Sequence, residues 1–490
     1  MIGVTDWSSD AATPPDGKAW DLVVMGGGTA GIVAARTAAG FGASVVIVEQ
    51  ARPGGDCLWT GCVPSKALLA SAHTAATARN AEAFGVQASE VKVDFASVMG
   101  RVHDTIAAIE PADAPETLRT SGAKVVHARA RFTGPRSVAL DIGEAVPFRH
   151  AVLATGSQPV VPPINGLDDA APLTSDSVWD LQELPERLLI LGGGSIGCEL
   201  AQAFGRLGSN VTLIEAAERL LPREDATASA VLNRVLQADG IDVLLKTHVR
   251  SVRRAHGVVA VYTADGLTIE GDEILVAIGR QPRTEGLGLA DAGIELAPSG
   301  HVAVDARLRT TNRRVWAAGD ITGHPQFTHV AGVHGSLAAS NAVLGLRRRV
   351  DTRTIPRVTY THPEVAAFGV PASEGDLVLD LAHDEVDRSI TDGEVSGITR
   401  LVLDRRRRIV GATIVGARAG ELVGEVVVAA RAKFTAGQLA ATMHAYPTYS
   451  DAIWKPAIAE VREQLDQPAA TWLTRRLAAW QRARHPAVRS

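Results

Sequence analysis

Two stretches of this chain are copies of one pattern, displaced by a constant 166 positions. LVVMGGGTAGIVAARTAAGFGASVVIVE begins at Leu22, and LLILGGGSIGCELAQAFGRLGSNVTLIE begins at Leu188. Gly26 aligns with Gly192, Gly28 with Gly194, Gly31 with Gly197 and Glu49 with Glu215, without a gap. Each copy reads as an apolar strand, a glycine-rich turn, an alanine-rich helix, a second β-branched strand and a terminal acid. A strand–helix–strand unit of this kind belongs to an α/β fold with a parallel sheet, and the chain holds two of them.

The chemistry of the pattern is specific. The first glycine makes the tight turn and the second lets the backbone approach a pyrophosphate. The third allows helix to pack closely on strand, and the acid accepts hydrogen bonds from an adenosine ribose. One GxGxxG is often only a turn. Two, each with an acid 23 residues after the first glycine, point to two adenine dinucleotides, FAD and NAD(P)H.

Just after the first copy comes GGDCLWTGCVPSK, from Gly54 to Lys66. Cys57 and Cys62 lie ahead of a helix whose first turn holds Pro64, where unpaired backbone N–H groups favour the thiolate of Cys62. Taken alone, the pair reads equally as a reversible disulfide or as two buried cysteines acting as small hydrophobes. The flanking glycine-rich segments favour the redox reading and make the first copy the flavin site. The second copy then takes NAD(P)H. Glu215 favours NADH, because a carboxylate repels a 2′-phosphate, although Arg219 and Arg223 stand close downstream.

At 490 residues there is room for about three domains. A net charge of −5 gives no reason to expect nucleic acid. Three cysteines make no structural disulfide framework, so a cytoplasmic setting is expected. Residues 1–20 are polar and read as a flexible leader without a signal-peptide apolar run.

On these motifs the chain resembles the class I pyridine nucleotide–disulfide oxidoreductases, which include lipoamide dehydrogenase, glutathione reductase and mercuric reductase. The resemblance covers roughly residues 20–465. It implies two Rossmann-type dinucleotide-binding domains, for FAD (21–160) and NAD(P) (161–281). A central domain (282–350) would complete the FAD site, and an α+β dimer-interface domain (351–465) would follow. It also implies a homodimer with active sites shared across the interface. By position, Cys62 faces the flavin, Cys57 meets substrate, and Lys66 sits near the reactive flavin nitrogen with Glu199 as its ion-pair partner. The resemblance also places Gly55 at the flavin. ATGSQP, holding Thr155 and Gly156, closes the first FAD half, and IGRQP, holding Gly279 and Arg280, returns from the nicotinamide domain. In AAGDI, Gly319 and Asp320 form the second FAD motif, and His329 either adds a backbone contact to the flavin or is structural. Electrons would pass from NAD(P)H by way of FAD to a Cys57–Cys62 disulfide and on to a small-molecule acceptor. No resident metal is expected.

The segment HAYPTYSDA departs from the disulfide reductases. Lipoamide dehydrogenase and glutathione reductase carry His directly before this Pro, and Glu five residues after that His. Here the two positions hold Tyr446 and Asp451. An imidazole, with pKa near about 6.5, shuttles thiol protons at neutral pH, whereas a phenol near about 10 is a poor base. In an extended segment His444 would point the same way as Tyr446, about 7 Å further along, and is a substitute candidate. Tyrosine here resembles mercuric reductase, but the cysteine pair that enzyme carries near its C-terminus is missing, since the third cysteine is Cys198. The acceptor is then a disulfide or dithiol, or a soft metal such as Hg(II). The alternatives are a diaphorase (quinone reductase) or transhydrogenase-like flavoenzyme, and a redox-sensing subunit of low turnover.

Glu385 to Gly416 reads as interface strands, with Arg405–Arg408 as a solvated hairpin turn. Residues 466–490 read as a helical extension in which Trp472, Leu473, Leu477 and Trp480 recur at helical spacing among arginines. Packing on the body of the dimer is the plain expectation for that stripe, and contact with a membrane surface the alternative.

Overall fold

The computed structural model describes residues 9–88 and 90–485. They fall into two compact units, one built from the chain up to 218 together with 236–351, the other from 219–235 and the chain from 352 onward.

In the first unit both copies fold as their pattern demands. Trp20–Met25, Thr29–Gly40 and Val45–Glu49 form strand, helix and strand, and Arg187–Leu191, Ser195–Leu207 and Asn210–Ile214 repeat the unit. Parallel strands covered on both faces need continuous apolar runs, and Leu22, Val23 and Val24 are wholly buried. Trp20–Met25 lies parallel between Val45–Glu49 and Ala145–Leu153, with Leu22 opposite both Val45 and His150. Ala123–His127 extends one side, while Val315–Ala317 and the antiparallel strands Ala130–Gly134 and Ser137–Leu140 complete seven strands. The second copy centres a five-stranded parallel sheet ordered Asp242–Leu244, Asn210–Ile214, Arg187–Leu191, Glu273–Val276, Leu173–Thr174.

Two contacts bring distant motifs together. Ser157–Pro159 pairs antiparallel with Arg280–Pro282, joining the ATGSQP and IGRQP segments. The helix Thr328–Leu344 packs on Thr29–Gly40 so closely that a Cβ at Gly335 would stand 2.2 Å from the Ala30 carbonyl oxygen.

The second unit is a five-stranded antiparallel sheet ordered Arg357–Thr359, Glu364–Gly369, Ile409–Gly416, Ile398–Leu403, Leu377–Ala382. Its core takes in the helices Ala419–Arg431 and Asp451–Asp466. Residues 219–235 belong to this unit although they lie within the sequence span of the second nucleotide fold. Arg357 donates to Glu224 at 2.8 Å, and Arg400 to Asp225 at 3.0 Å. The fold is therefore α/β, with two Rossmann-type units and an α+β domain.

Two expectations change in detail. The leader expected over residues 1–20 lies outside the described residues up to 8, but its later half is fastened down. The Asp10 backbone N–H donates to the Val125 carbonyl at 2.9 Å, Ala12 is buried, and the Trp20 indole donates to the Ala12 carbonyl at 2.8 Å. The segment from Glu385 opens on a short helix, Asp387–Thr391, before its strands begin. Arg405–Arg408 does form the hairpin turn, with the Asp404 carboxylate accepting from the Arg406 and Arg408 backbone N–H groups at 2.8 and 2.9 Å.

Candidate active site

Cys57 sits in the short helix Gly55–Trp59, and Cys62 is the first residue of the helix Cys62–Arg79. Gly61 joins the two, and a Cβ there would lie 2.7 Å from the Asp56 carbonyl oxygen, so a side chain would push the cysteine helices apart. Both thiols are free, Cys57 half-buried and Cys62 exposed. A hydrogen bond from the Cys57 thiol is the main influence bringing Cys62 down to about 6. Burial opposes it, while the Thr328 hydroxyl and the Lys66 charge add to it. The Thr328 hydroxyl oxygen lies 3.3 Å from the Cys62 sulfur and donates to the thiolate. The same hydrogen bond pushes Cys57 up, so one proton is held on Cys57 and the negative charge on Cys62.

One turn along the same helix, Lys66 Nζ donates to Glu199 Oε2 at 2.9 Å. Glu199 is buried in the helix that opens at the second glycine turn, so this ion pair ties the cysteine helix to the second nucleotide fold. Cys198, beside it, is fully buried, its thiol pushed up by that burial, and lies 3.4 Å from the Gly193 carbonyl oxygen. It is a packing residue.

The two glycine turns share one backbone geometry. Gly26 and Gly192 have φ of 106° and 110°, a region that favours glycine. A Cβ at Gly31 or Gly197 would come within 1.9 or 1.8 Å of the carbonyl oxygen of Gly26 or Gly192. The helices start at Gly28 and Gly194 with no side-chain cap, which leaves their first N–H groups available to a phosphate. A Cβ at Gly194 would point into open space, and one at Gly28 would only touch Gly55 Cα at 3.7 Å. Glu49 accepts from the Gly27 and Ala51 N–H groups at 2.5 and 2.7 Å; Glu215 does the same with Gly193 and Ala217, both at 2.6 Å. Each acid thus fastens its own glycine turn. The residues present fit two dinucleotides.

A polar network joins the flavin-side motifs. Arg280 donates to Ser157 Oγ at 2.8 Å, and Ser157 Oγ donates to Asp320 Oδ2 at 2.6 Å. Arg280 also pairs with Asp56, the residue before Cys57, and lies 3.5 Å from Asp176. Thr155 Oγ1 donates to the Arg283 carbonyl at 2.9 Å. Gly156, Gly279 and Gly319 all take positive φ, at 70°, 138° and 78°. His329 stacks its ring on Phe327 at 5.2 Å.

In the second unit Tyr446 is 68% exposed, and its hydroxyl donates to Asp387 Oδ2 at 2.7 Å. That bond, chiefly, raises the phenol above its ordinary value. Asp387 is also held by Lys455 at 2.8 Å. His444 turns elsewhere, with Nε2 2.6 Å from Glu425 Oε1, Nδ1 2.9 Å from the Thr442 carbonyl and the ring stacked on Trp454 at 5.4 Å. Both nitrogens already face acceptors. Asp451 is 1% exposed, and neither of its carboxylate oxygens has a hydrogen-bond partner. Burial first, and then Asp387, hold its carboxyl above the usual range against the pull of Lys455 and His444. Tyr446 and Asp451 therefore do not form the bonded pair that the His and Glu of disulfide reductases would make.

Residues 20–335 match the family model described as pyridine nucleotide-disulphide oxidoreductase, and residues 355–457 match the dimerisation domain of that family. The chain belongs to the pyridine nucleotide-disulphide oxidoreductases. A mercuric reductase of Streptomyces lividans is 38% identical over 449 residues, covering 89% of this chain and 94% of the relative. A dihydrolipoyl dehydrogenase of Thermus scotoductus is 35% identical over 461 residues, covering 90% and 97%. The crystal structure of LpdA from Mycobacterium tuberculosis superposes with a TM-score of 0.83 at 29% identity, covering 89% and 99%. A Cu(II) complex of the HOCl-induced flavoprotein disulfide reductase RclA from Escherichia coli gives 0.80 at 28%, covering 88% and 98%. This oxidoreductase family uses FAD and a pyridine nucleotide, and the dimerisation-domain match supports a homodimer.

The sequence does not single out Asp387, Thr328 or Asp56, each of which the structure bonds to a candidate residue. Thr328 carries no signal beyond standing next to His329, and Asp56 reads as an ordinary acid in a first helical turn.

Proposed function

We propose that this oxidoreductase drives electrons from NADH through the Cys57–Cys62 pair to an acceptor that needs no histidine proton shuttle, a soft metal ion such as Hg(II) being the first candidate. The carrying observation is the contrast between a charged, exposed Cys62 and a Tyr446 whose phenol is committed to Asp387. FAD, when bound, supplies the two-electron relay between nicotinamide and dithiol. Gly26, Gly28, Gly31, Glu49, Gly55, Thr155, Gly156, Gly319, Asp320 and His329 would hold it, with Gly279 and Arg280 completing the cradle. Lys66, fixed by Glu199, would stand at its reactive edge. Gly192, Gly194, Gly197 and Glu215 would hold the nicotinamide cofactor. NADH is preferred because the Glu215 carboxylate stands at the ribose position, while Arg219 donates to the Pro222 carbonyl at 2.9 Å.

On the acceptor side, the Cys62 thiolate and Cys57 thiol form a ready bidentate soft-ligand pair. In the homodimer, Tyr446 of one subunit would meet the cysteine pair of the other with its ring and hydroxyl oxygen, its one O–H proton being held by Asp387. Asp451, buried, and His444, engaged on both nitrogens, would act structurally.

An acceptor screen tests this. Disulfides, thiol-complexed Hg(II), quinones and NAD(P)⁺ are offered to the wild type, Tyr446→His and a Cys57→Ser/Cys62→Ser double variant. The proposal expects Hg(II) turnover that needs both cysteines, with disulfide turnover low in the wild type. Full quinone turnover in the double variant, with no cysteine-dependent acceptor found, would favour a diaphorase instead.

A further inference from the structure

The helix Pro468–Arg484 follows the dimerisation-domain match, which ends at residue 457, and carries none of the site residues. No residue in it is buried. Trp472, Leu473, Leu477 and Trp480 remain 57%, 51%, 53% and 51% exposed. At about 100° per residue the four fall within roughly 140° of the helix circumference, on one face that they share with Arg476 and Arg484. Two indoles and two leucines on one face make a patch that calls for a covering surface.

The charges indicate which surface. Between residues 468 and 484 the chain has Arg475, Arg476, Arg482 and Arg484 and no carboxylate, while the chain as a whole is acidic at −5. The Arg476 guanidinium lies 4.4 Å from the Trp472 ring centroid, and that of Arg484 lies 4.3 Å from Trp480. Each cation thus rides on an indole, on the same face as the apolar side chains. Indoles and arginine stems suit the boundary between headgroups and acyl chains, where the ring is half-dry and the guanidinium reaches phosphate. A like helix from a second copy is the poorer occupant, because four arginines would face four with no acid between them. No helix among the described residues is long and apolar enough to cross a membrane.

We propose that the helix Pro468–Arg484 lies in the surface of an anionic phospholipid membrane, with Trp472, Leu473, Leu477 and Trp480 inserted and the arginines on lipid phosphates. Each helix alone binds weakly; the homodimer presents two, so attachment rests on their combined effect.

Co-sedimentation of the FAD-loaded full chain tests this, with vesicles of phosphatidylcholine alone and of phosphatidylcholine mixed with phosphatidylglycerol. The anionic vesicles should bind at least about tenfold more protein, and added salt should weaken the binding. Truncation after Gln467, and separately the double variant Trp472→Ala/Trp480→Ala, should each abolish sedimentation while NADH still reduces the cysteine pair. Absence of binding to anionic vesicles, or binding that survives both changes, overturns the proposal. So does a shift from dimer to monomer on truncation, which would place the stripe against a second copy of the chain.

Discussion

Cys62 is charged because three different neighbours act on one sulfur: a thiol at Cys57, a hydroxyl at Thr328 and an ammonium at Lys66. With the Cys62 value brought down to about 6, thiolate outnumbers thiol about tenfold at pH 7. Alkylation of the reduced protein by iodoacetamide should therefore rise through pH 6 and level off above pH 7, with Cys57 unreactive over that range. Thr328→Val removes one hydrogen bond to the thiolate, worth about 1–1.5 kcal/mol, and should move the midpoint up by about one pH unit. Cys57→Ala removes the larger influence and should move it further. A midpoint unmoved by Thr328→Val would remove that residue from the site. At Tyr446 the direction is opposite, since the Asp387 carboxylate raises the phenol. Asp387→Asn should bring the ultraviolet titration of this exposed tyrosine down towards its ordinary value near about 10.

The elements that position these residues differ in how plainly the sequence announces them. Each glycine turn is decided by local backbone contacts, so it is legible at fixed spacing. Gly197 stands against Gly192, five residues away, and a Cβ would meet its carbonyl oxygen at 1.8 Å. Gly197→Ala should accordingly weaken NADH binding by tenfold or more while leaving the flavin in place; flavin content and NADH titration read the two separately. The place of Thr328 depends instead on the backbone-close packing of Thr328–Leu344 on Thr29–Gly40, which no local pattern encodes. The Tyr446–Asp387 bond joins residues 59 apart, and His444 turns to Glu425, 19 residues back in the helix Ala419–Arg431. The alternation that put His444 beside Tyr446 assumed an extended strand, and side-chain partners overrode it. Lys66–Glu199 lies between these cases. Its residues are 133 apart, and only the family resemblance made the pair visible.

Across the whole chain, the second nucleotide fold lends residues 219–235 to the C-terminal unit through the Arg357–Glu224 and Arg400–Asp225 pairs. Burial pushes Asp225 up, but the Thr227 backbone N–H and Arg400 together hold it below the ordinary carboxylate value. Its contribution to stability is therefore present above that ordinary value and fades as pH falls through the lowered one. Arg400→Ala should lower thermal stability by about 1–2 kcal/mol at neutral pH, with the difference from wild type shrinking in acid. The proposed function depends at this scale on one route, in which electrons taken from NADH would leave the protein through two sulfurs. The direct measurement is a thiol count after anaerobic addition of one equivalent of NADH to the oxidised, FAD-loaded enzyme, followed by thiol-complexed Hg(II). Two new titratable thiols per subunit that disappear as Hg(II) is reduced, with neither event in Cys57→Ser/Cys62→Ser, is the predicted result. Undiminished Hg(II) reduction by that double variant, or NADH oxidation that leaves no new thiols, would contradict the account.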